Sequence, residues 1–185
     1  AVRCTLYAVL LSSCTLFSPR EPAAPAGGSG RTEQALTGGQ VLDILLRYVQ
    51  ENPECIGANL LGVGNAEFIF TFDTLDVLRS ANQSKLSQWA GDDERDFYVR
   101  LEKQYRVTSF ACSSRPGYQD QPDTLFYRNY TFTRTDTSGA NPVDYGGWAG
   151  IRVRQTGTKV ILTAWEDHQD NTLPTFGRLR EEMVE

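Results

Sequence analysis

The sequence predicts an α+β domain: a curved, mainly antiparallel sheet packed on an N-terminal helix, spanning residues 32–185. Three observations predict it. Residues 32–50 repeat apolar side chains at helical spacing, four runs from residue 106 onward alternate apolar and polar residues, and the helical segments are grouped ahead of those runs. Strands that follow one another through short loops pair antiparallel. A sheet curved around the first helix buries the apolar faces of both.

The elements are justified in order. Over Thr32–Gln50, Leu36, Val41, Leu42, Leu45, Leu46 and Val49 share one helical face. Thr32 is a cap, Gly38-Gly39 moves the firm start to Gln40, and Asn52-Pro53 ends the helix. In Glu67–Phe72 the alternation puts Phe68, Phe70 and Phe72 on one face of a strand. Residues 74–90 read as a helix around Leu75, Leu78 and Leu86. Asp92-Asp93-Glu94 opens another helix running to Gln104, its acids at the positive end of the macrodipole. Strands are expected over 106–113, 124–135, 147–155 and 158–167, the last two joined by a hairpin at Thr156-Gly157. Loops fall at 115–123 and 136–146, and a short helix at 175–185.

This element order is similar to that of the cystatin-like and NTF2-like folds. The resemblance implies a pocket between sheet and helix, and hence a small ligand-binding or enzymatic domain. It rests on element order alone and assigns no residue a role.

Composition sets outer limits. The chain is 40% hydrophobic and 22% charged, a globular balance. Eighteen Lys and Arg against 23 Asp and Glu give a net charge of -5, which leaves no surplus of cations for phosphates and argues against nucleic-acid binding. The single His and four Cys exclude His-rich metal centres. No metal site or cofactor is expected.

The first 13 residues carry one charge, Arg3, and a short apolar run, Cys4–Leu11, too short to span a bilayer. They read as a signal peptide. Leu11-Ser12-Ser13-Cys14 resembles the bacterial lipobox. That resemblance implies cleavage before Cys14 and a lipid on its thiol. Ser18–Gly30 holds three Pro, three Gly and no large apolar residue, so residues 14–31 read as a flexible tether. The expected layout is signal peptide, lipidated cysteine, tether and a single domain. It places the protein in the bacterial cell envelope, on the periplasmic or outer surface, anchored to the membrane through Cys14 and near an envelope protein partner. Secretion is the alternative, under which Asn82-Gln-Ser84 and Asn129-Tyr-Thr131 are glycosylation sequons.

Cys55 and Cys112 remain in the domain. An even pair in an oxidising compartment suggests a disulfide. The bridge would contribute on the order of 4 kcal/mol through its long loop.

No nucleophile–base set stands out. Glu166, Asp167, His168 and Asp170 form the densest polar cluster, but adjacent acids on a strand point to opposite faces and cannot all share one ion. Tyr145 and Trp148, in a glycine-rich stretch, and Trp165 are the candidate binding aromatics. In the strand at 124–135, Tyr127, Asn129, Thr131 and Thr133 face one way, and Arg128, Tyr130, Phe132 and Arg134 the other. The functional expectation is a lipid-anchored, non-catalytic adaptor, assembly subunit or binding module. The alternative is the pocketed domain that the fold resemblance implies. A closed interior around Phe68, Phe70 and Phe72 favours the first, and an open cavity lined by Tyr, Arg or Asp the second.

Overall fold

Thr37 opens the first helix. Its hydroxyl accepts from the Gln40 N–H and satisfies one of the free donors of α1 (Gly38–Glu51). The helix thus includes Gly38 and Gly39, two residues before the expected start. The reason is contact: a Cβ on Gly38 would lie 2.6 Å from the Phe126 ring. The structure is a computed structural model that describes residues 33–61, 67–170 and 172–184. The signal peptide, Cys14, the tether, Thr32 and Gly62–Gly64 lie outside the described residues.

Val41, Leu42, Ile44, Leu45 and Val49 bury the inner side of α1. At about 1.5–3 kcal/mol for each large apolar side chain removed from water, this stripe is the main reason the helix holds. After α2 (Cys55–Asn59) comes the short strand β1 (Ile69–Thr71). Phe68, Phe70 and Phe72 are all buried, as their alternation requires. The helix expected over 74–90 is instead two pieces, α3 (Thr74–Arg79) and α4 (Gln83–Leu86), and of its expected apolar anchors only Leu86 is buried, Leu75 and Leu78 being exposed. The break is at Ser80, which turns extended and accepts the Asn82 N–H on its hydroxyl at 2.9 Å. A Ser side chain that bonds nearby backbone competes with helix. Helix α5 (Gly91–Gln104) begins with Asp93 accepting from the Ala90 N–H, and carries Asp92, Asp93 and Glu94 in its first turn.

Four long strands follow: β2 (Tyr105–Ser114), β3 (Leu125–Asp136), β4 (Val143–Thr156) and β5 (Lys159–His168). Strand β4 starts inside the expected 136–146 loop. The turn is shorter because the Asp136 carboxylate gathers the Ser138 and Ala140 N–H groups, with Gly139 at φ +85°. The sheet order is β1-β5-β4-β3-β2. All neighbours are antiparallel except β1, which pairs parallel with β5. Register shifts at Val107/Ser109 and Arg152/Val153 mark bulges, which bend a sheet. The sheet is curved, and α1 packs on it, chiefly against β2. The last helix, α6 (Phe176–Glu182), also packs against β4. The fold is α+β, with a curved, mainly antiparallel sheet on an N-terminal helix.

Candidate functional site

Register sorts the sheet into two faces. On the inner face, Phe110 pairs with Phe132, Phe132 with Tyr145, Tyr130 with Gly147, and Ile151 with Trp165. On the outer face, Asn129 pairs with Trp148, and Trp148 with His168.

Among the described residues the inner face is packed with aromatic side chains. Phe176, at the start of α6, is fully buried. Its ring lies 5.1–5.8 Å from those of Phe97, Phe110, Phe132 and Trp165. Polar groups fix α6 there. Asp167 accepts from the Tyr130 hydroxyl at 2.6 Å and from the Gly177 N–H at 2.5 Å. Tyr130 in turn accepts from the Phe176 N–H at 2.8 Å. Burial pushes the Asp167 carboxyl above the usual carboxylate range, although these donors pull it back. One turn further on, Arg180 donates to Glu94 at 2.5 and 2.8 Å and to the Phe176 carbonyl at 3.0 Å. Its guanidinium carbon sits 3.9–4.3 Å from the ring centres of Phe70, Phe97 and Phe176. Glu94 also accepts from the Trp89 indole N–H at 2.9 Å. Each charged group here is met by hydrogen bonds or an opposite charge, as buried ions require.

The outer face carries an aromatic cluster. Trp148 is stacked on His168, with ring centres 3.8 Å apart and planes 12° apart. The Arg115 guanidinium lies 4.4 Å from the Trp148 ring centre. Tyr118 packs on Trp148 at 5.2 Å and on Tyr127 at 4.9 Å, and is 47% exposed. Arg115 is held by Asp170 at 2.8 and 3.2 Å and by Asn129 at 2.8 Å. The bond from Arg115 draws the Asp170 carboxyl below its usual range. Around the cluster the outward positions of β2–β4 are small: Ala111 and Thr131 pair with each other, and Thr131 also with Gly146.

The predicted residues part company here. Trp148 belongs to the outer cluster. Tyr145 and Trp165 are buried on the inner face, 1% and 2% exposed; Tyr145 donates to Glu182 at 2.8 Å. Asp167 points inward while Glu166 and His168 take the opposite face, the alternation expected of a strand. Among the described residues no group of three His, Cys, Asp or Glu is placed to hold a metal.

The expected Cys55–Cys112 disulfide is not formed, and both are free thiols. Cys55 starts α2, which packs on α5, whereas Cys112 is held in mid-strand opposite Tyr130. Burial pushes the Cys112 thiol up to about 12.

Sequence reasoning missed Arg180, Glu94 and Phe176. Phe176, Leu179, Arg180 and Met183 share helical spacing i, i+3, i+4, i+7, and that pattern marks a buried face with a cation on it. Arg115 and Tyr118 were hidden in a loop.

No family model matches the chain. No curated protein matches it either. Among solved structures it is similar to the Δ5-3-ketosteroid isomerase of Mycobacterium sp., at 12% identity and a TM-score of 0.49, over 71% of this chain and 92% of that one. It is also similar to an LEH-like epoxide hydrolase of M. tuberculosis, at 13% identity and a TM-score of 0.44, over 82% of this chain and 92% of that one. At such identity neither lends this chain a residue role.

Proposed function

We propose that the domain is a non-catalytic binding module that presents the outer face of its sheet to a partner protein, tethered to an envelope membrane through a lipid on Cys14. The observation that carries the binding reading is the pairing of an interior packed among the described residues with the Arg115–Tyr118–Trp148–His168 cluster outside. Phe176 and Arg180 occupy the space between sheet and helices where a pocket would lie. Tyr, Trp and Arg are the side chains that dominate protein–protein hot spots, and here they are held rigid before any partner arrives. Salt bridges at Arg115–Asp170 and Arg152–Glu166 supply a polar border. The anchor is supported by the lipobox resemblance and the Pro- and Gly-rich stretch after it.

The test is site-specific photocrosslinking in the native envelope. A benzophenone at position 118 or 131 is expected to give one discrete protein adduct, abolished by Trp148→Ala. The same probe at Leu36, exposed on another surface, is expected to give none. Equal labelling from all three positions sinks the proposal. Intact mass of the native protein tests the anchor: a chain starting at Cys14 with added acyl mass supports it, and an unacylated chain refutes it.

One observation favours a second reading, that of a ligand-binding or enzymatic domain. Asp167 and Tyr130 form a buried, hydrogen-bonded acid pair between sheet and helices. Their use requires a ligand that displaces Phe176. A compound that raises the melting temperature and loses that effect in Tyr130→Phe would favour this reading.

A further inference from the structure

The chain contains one histidine, and it lies in the outer cluster. Histidine is the side chain whose ordinary charge change falls between pH 5 and 8. His168 is half-buried, its ring nearly parallel to the Trp148 indole at 3.8 Å, and among the described residues no hydrogen bond holds that ring. A cation already sits on the same indole: the Arg115 guanidinium, 4.4 Å from its centre.

Charged groups surround His168 on the neighbouring elements, and the carboxylates among them are engaged. Asp170, after β5, is paired with Arg115. Glu166, two residues back on the same face of β5, is paired with Arg152 of β4. Asp73, after β1, accepts the Leu75 and Gln169 N–H groups at 2.8 and 2.9 Å. Beyond Gln169, Asp76 of α3 accepts the Thr175 hydroxyl, and Arg178 of α6 is paired with Glu181 and Glu182. Arg79 lines the cleft on that side. Strand β3 contributes Asn129 and the Tyr127 phenol, and the loop before it the Tyr118 phenol. A proton on His168 therefore puts a second cation on the Trp148 ring, beside carboxylates that already have partners. While the face is open, water solvates that charge. A partner that covers Trp148 removes the water, and burying an unpaired charge is costly.

We infer that His168 makes docking on the outer face pH-dependent: the partner binds the form with a neutral imidazole and is released when the imidazole takes up a proton. This rests on the partner-binding reading above and adds its regulation. With a neutral imidazole, the stacked pair offers one flat ring surface with Arg115 as its single cation. With a proton from solvent on the imidazole, the same surface carries two. Apparent affinity scales with the fraction of the chain in the competent form, so it falls about tenfold for each pH unit once the protonated form dominates.

The test uses the full chain with a benzophenone at position 131, which leaves the four cluster residues in place, in native envelopes held at pH 7.5 or 5.5. The protein adduct is expected to fall at least about fivefold at the lower pH. In His168→Phe, which stacks but takes no proton, the yield is expected not to change with pH. In His168→Arg, which stacks with a permanent charge, it is expected to be low at both values. In the isolated chain, the Trp148 indole N–H resonance is expected to shift with the same midpoint as the ring proton of the lone histidine. Equal wild-type yields at the two pH values, or an equal fall in His168→Phe, overturn the inference and leave the docking reading standing. An indole resonance that does not follow the imidazole overturns it as well. No adduct at either pH removes the docking reading and this inference with it.

Discussion

Arg180 on α6 and Glu94 on α5 form a bidentate ion pair, at 2.5 and 2.8 Å, in which each side chain is 1% exposed. Such a pair fastens the last helix to the core, but its net worth depends on both partners being present. Arg180→Met leaves Glu94 buried alone and is expected to cost about 3–5 kcal/mol. The double variant Arg180→Met/Glu94→Gln removes both charges and keeps an acceptor for Trp89. It is expected to recover most of that loss. Urea unfolding of the two variants measures the difference.

Asp167 gives the protein a pH dependence of identifiable sign. Its carboxyl is raised in the folded state by burial, so the folded chain holds that proton more tightly than the unfolded chain. Its contribution to stability is full below the unfolded value, about 3.9, and is lost as pH rises through the folded value. Asp120 and Asp170 act oppositely, since their arginine partners lower them, and that stability is lost as pH falls through their folded values. In Asp167→Asn the downward slope on the alkaline side is expected to flatten. Melting temperatures of both proteins across the acid-to-neutral range test this, and parallel curves would refute it.

Gly147 permits the Tyr130–Asp167 arrangement. A Cβ there would lie 2.4 Å from the His168 carbonyl oxygen and 2.9 Å from the Tyr130 hydroxyl. Gly147→Ala is expected to destabilise by about 1–3 kcal/mol as the strands are forced apart. Gly139→Ala is strained through its φ of +85° but meets nothing in space, and is expected to cost less. Thermal unfolding ranks the two.

Cys112, half-buried in mid-strand, is expected to react with iodoacetamide far more slowly at neutral pH in the folded protein than in the unfolded chain, because desolvation pushes its thiol up to about 12. Labelling of its peptide is expected to follow the urea unfolding transition. Labelling of the folded chain as fast as of the unfolded chain would contradict the raised thiol.

The main architecture was legible from periodicity. The stripe on α1 from Val41 to Val49, the Phe68–Phe70–Phe72 face and the two faces of β3 follow from spacing alone, whereas Leu36, expected on that stripe, lies before the helix and is 61% exposed. Proline and glycine placed most ends within a few residues. Three features escaped for physical reasons. The break at Ser80 came from a side chain bonding its own backbone, which an apolar pattern does not register. The outer cluster depends on β3, β4 and β5 bringing Asn129, Trp148 and His168 abreast, with Tyr127 two residues back along β3, a matter of register between strands far apart in sequence. The cysteine count suggested a bridge, but one thiol starts α2 and the other lies in mid-strand opposite Tyr130, and both are free, a placement that arithmetic does not register.

Strand order also governs how the protein is made. Among the named strands β1 neighbours β5 alone, apart from a single bridge of Ile69 to Ala90, and β5 ends at residue 168, 99 positions after Ile69. A ribosome adding about 5–20 residues per second needs about 5–20 s to cover that gap. Throughout that interval the emerging chain carries Phe68, Phe70 and Phe72 with no strand to receive them. Chaperone protection during synthesis or export is thus demanded most of the first half of the chain, and the C-terminal segment is what ends the demand.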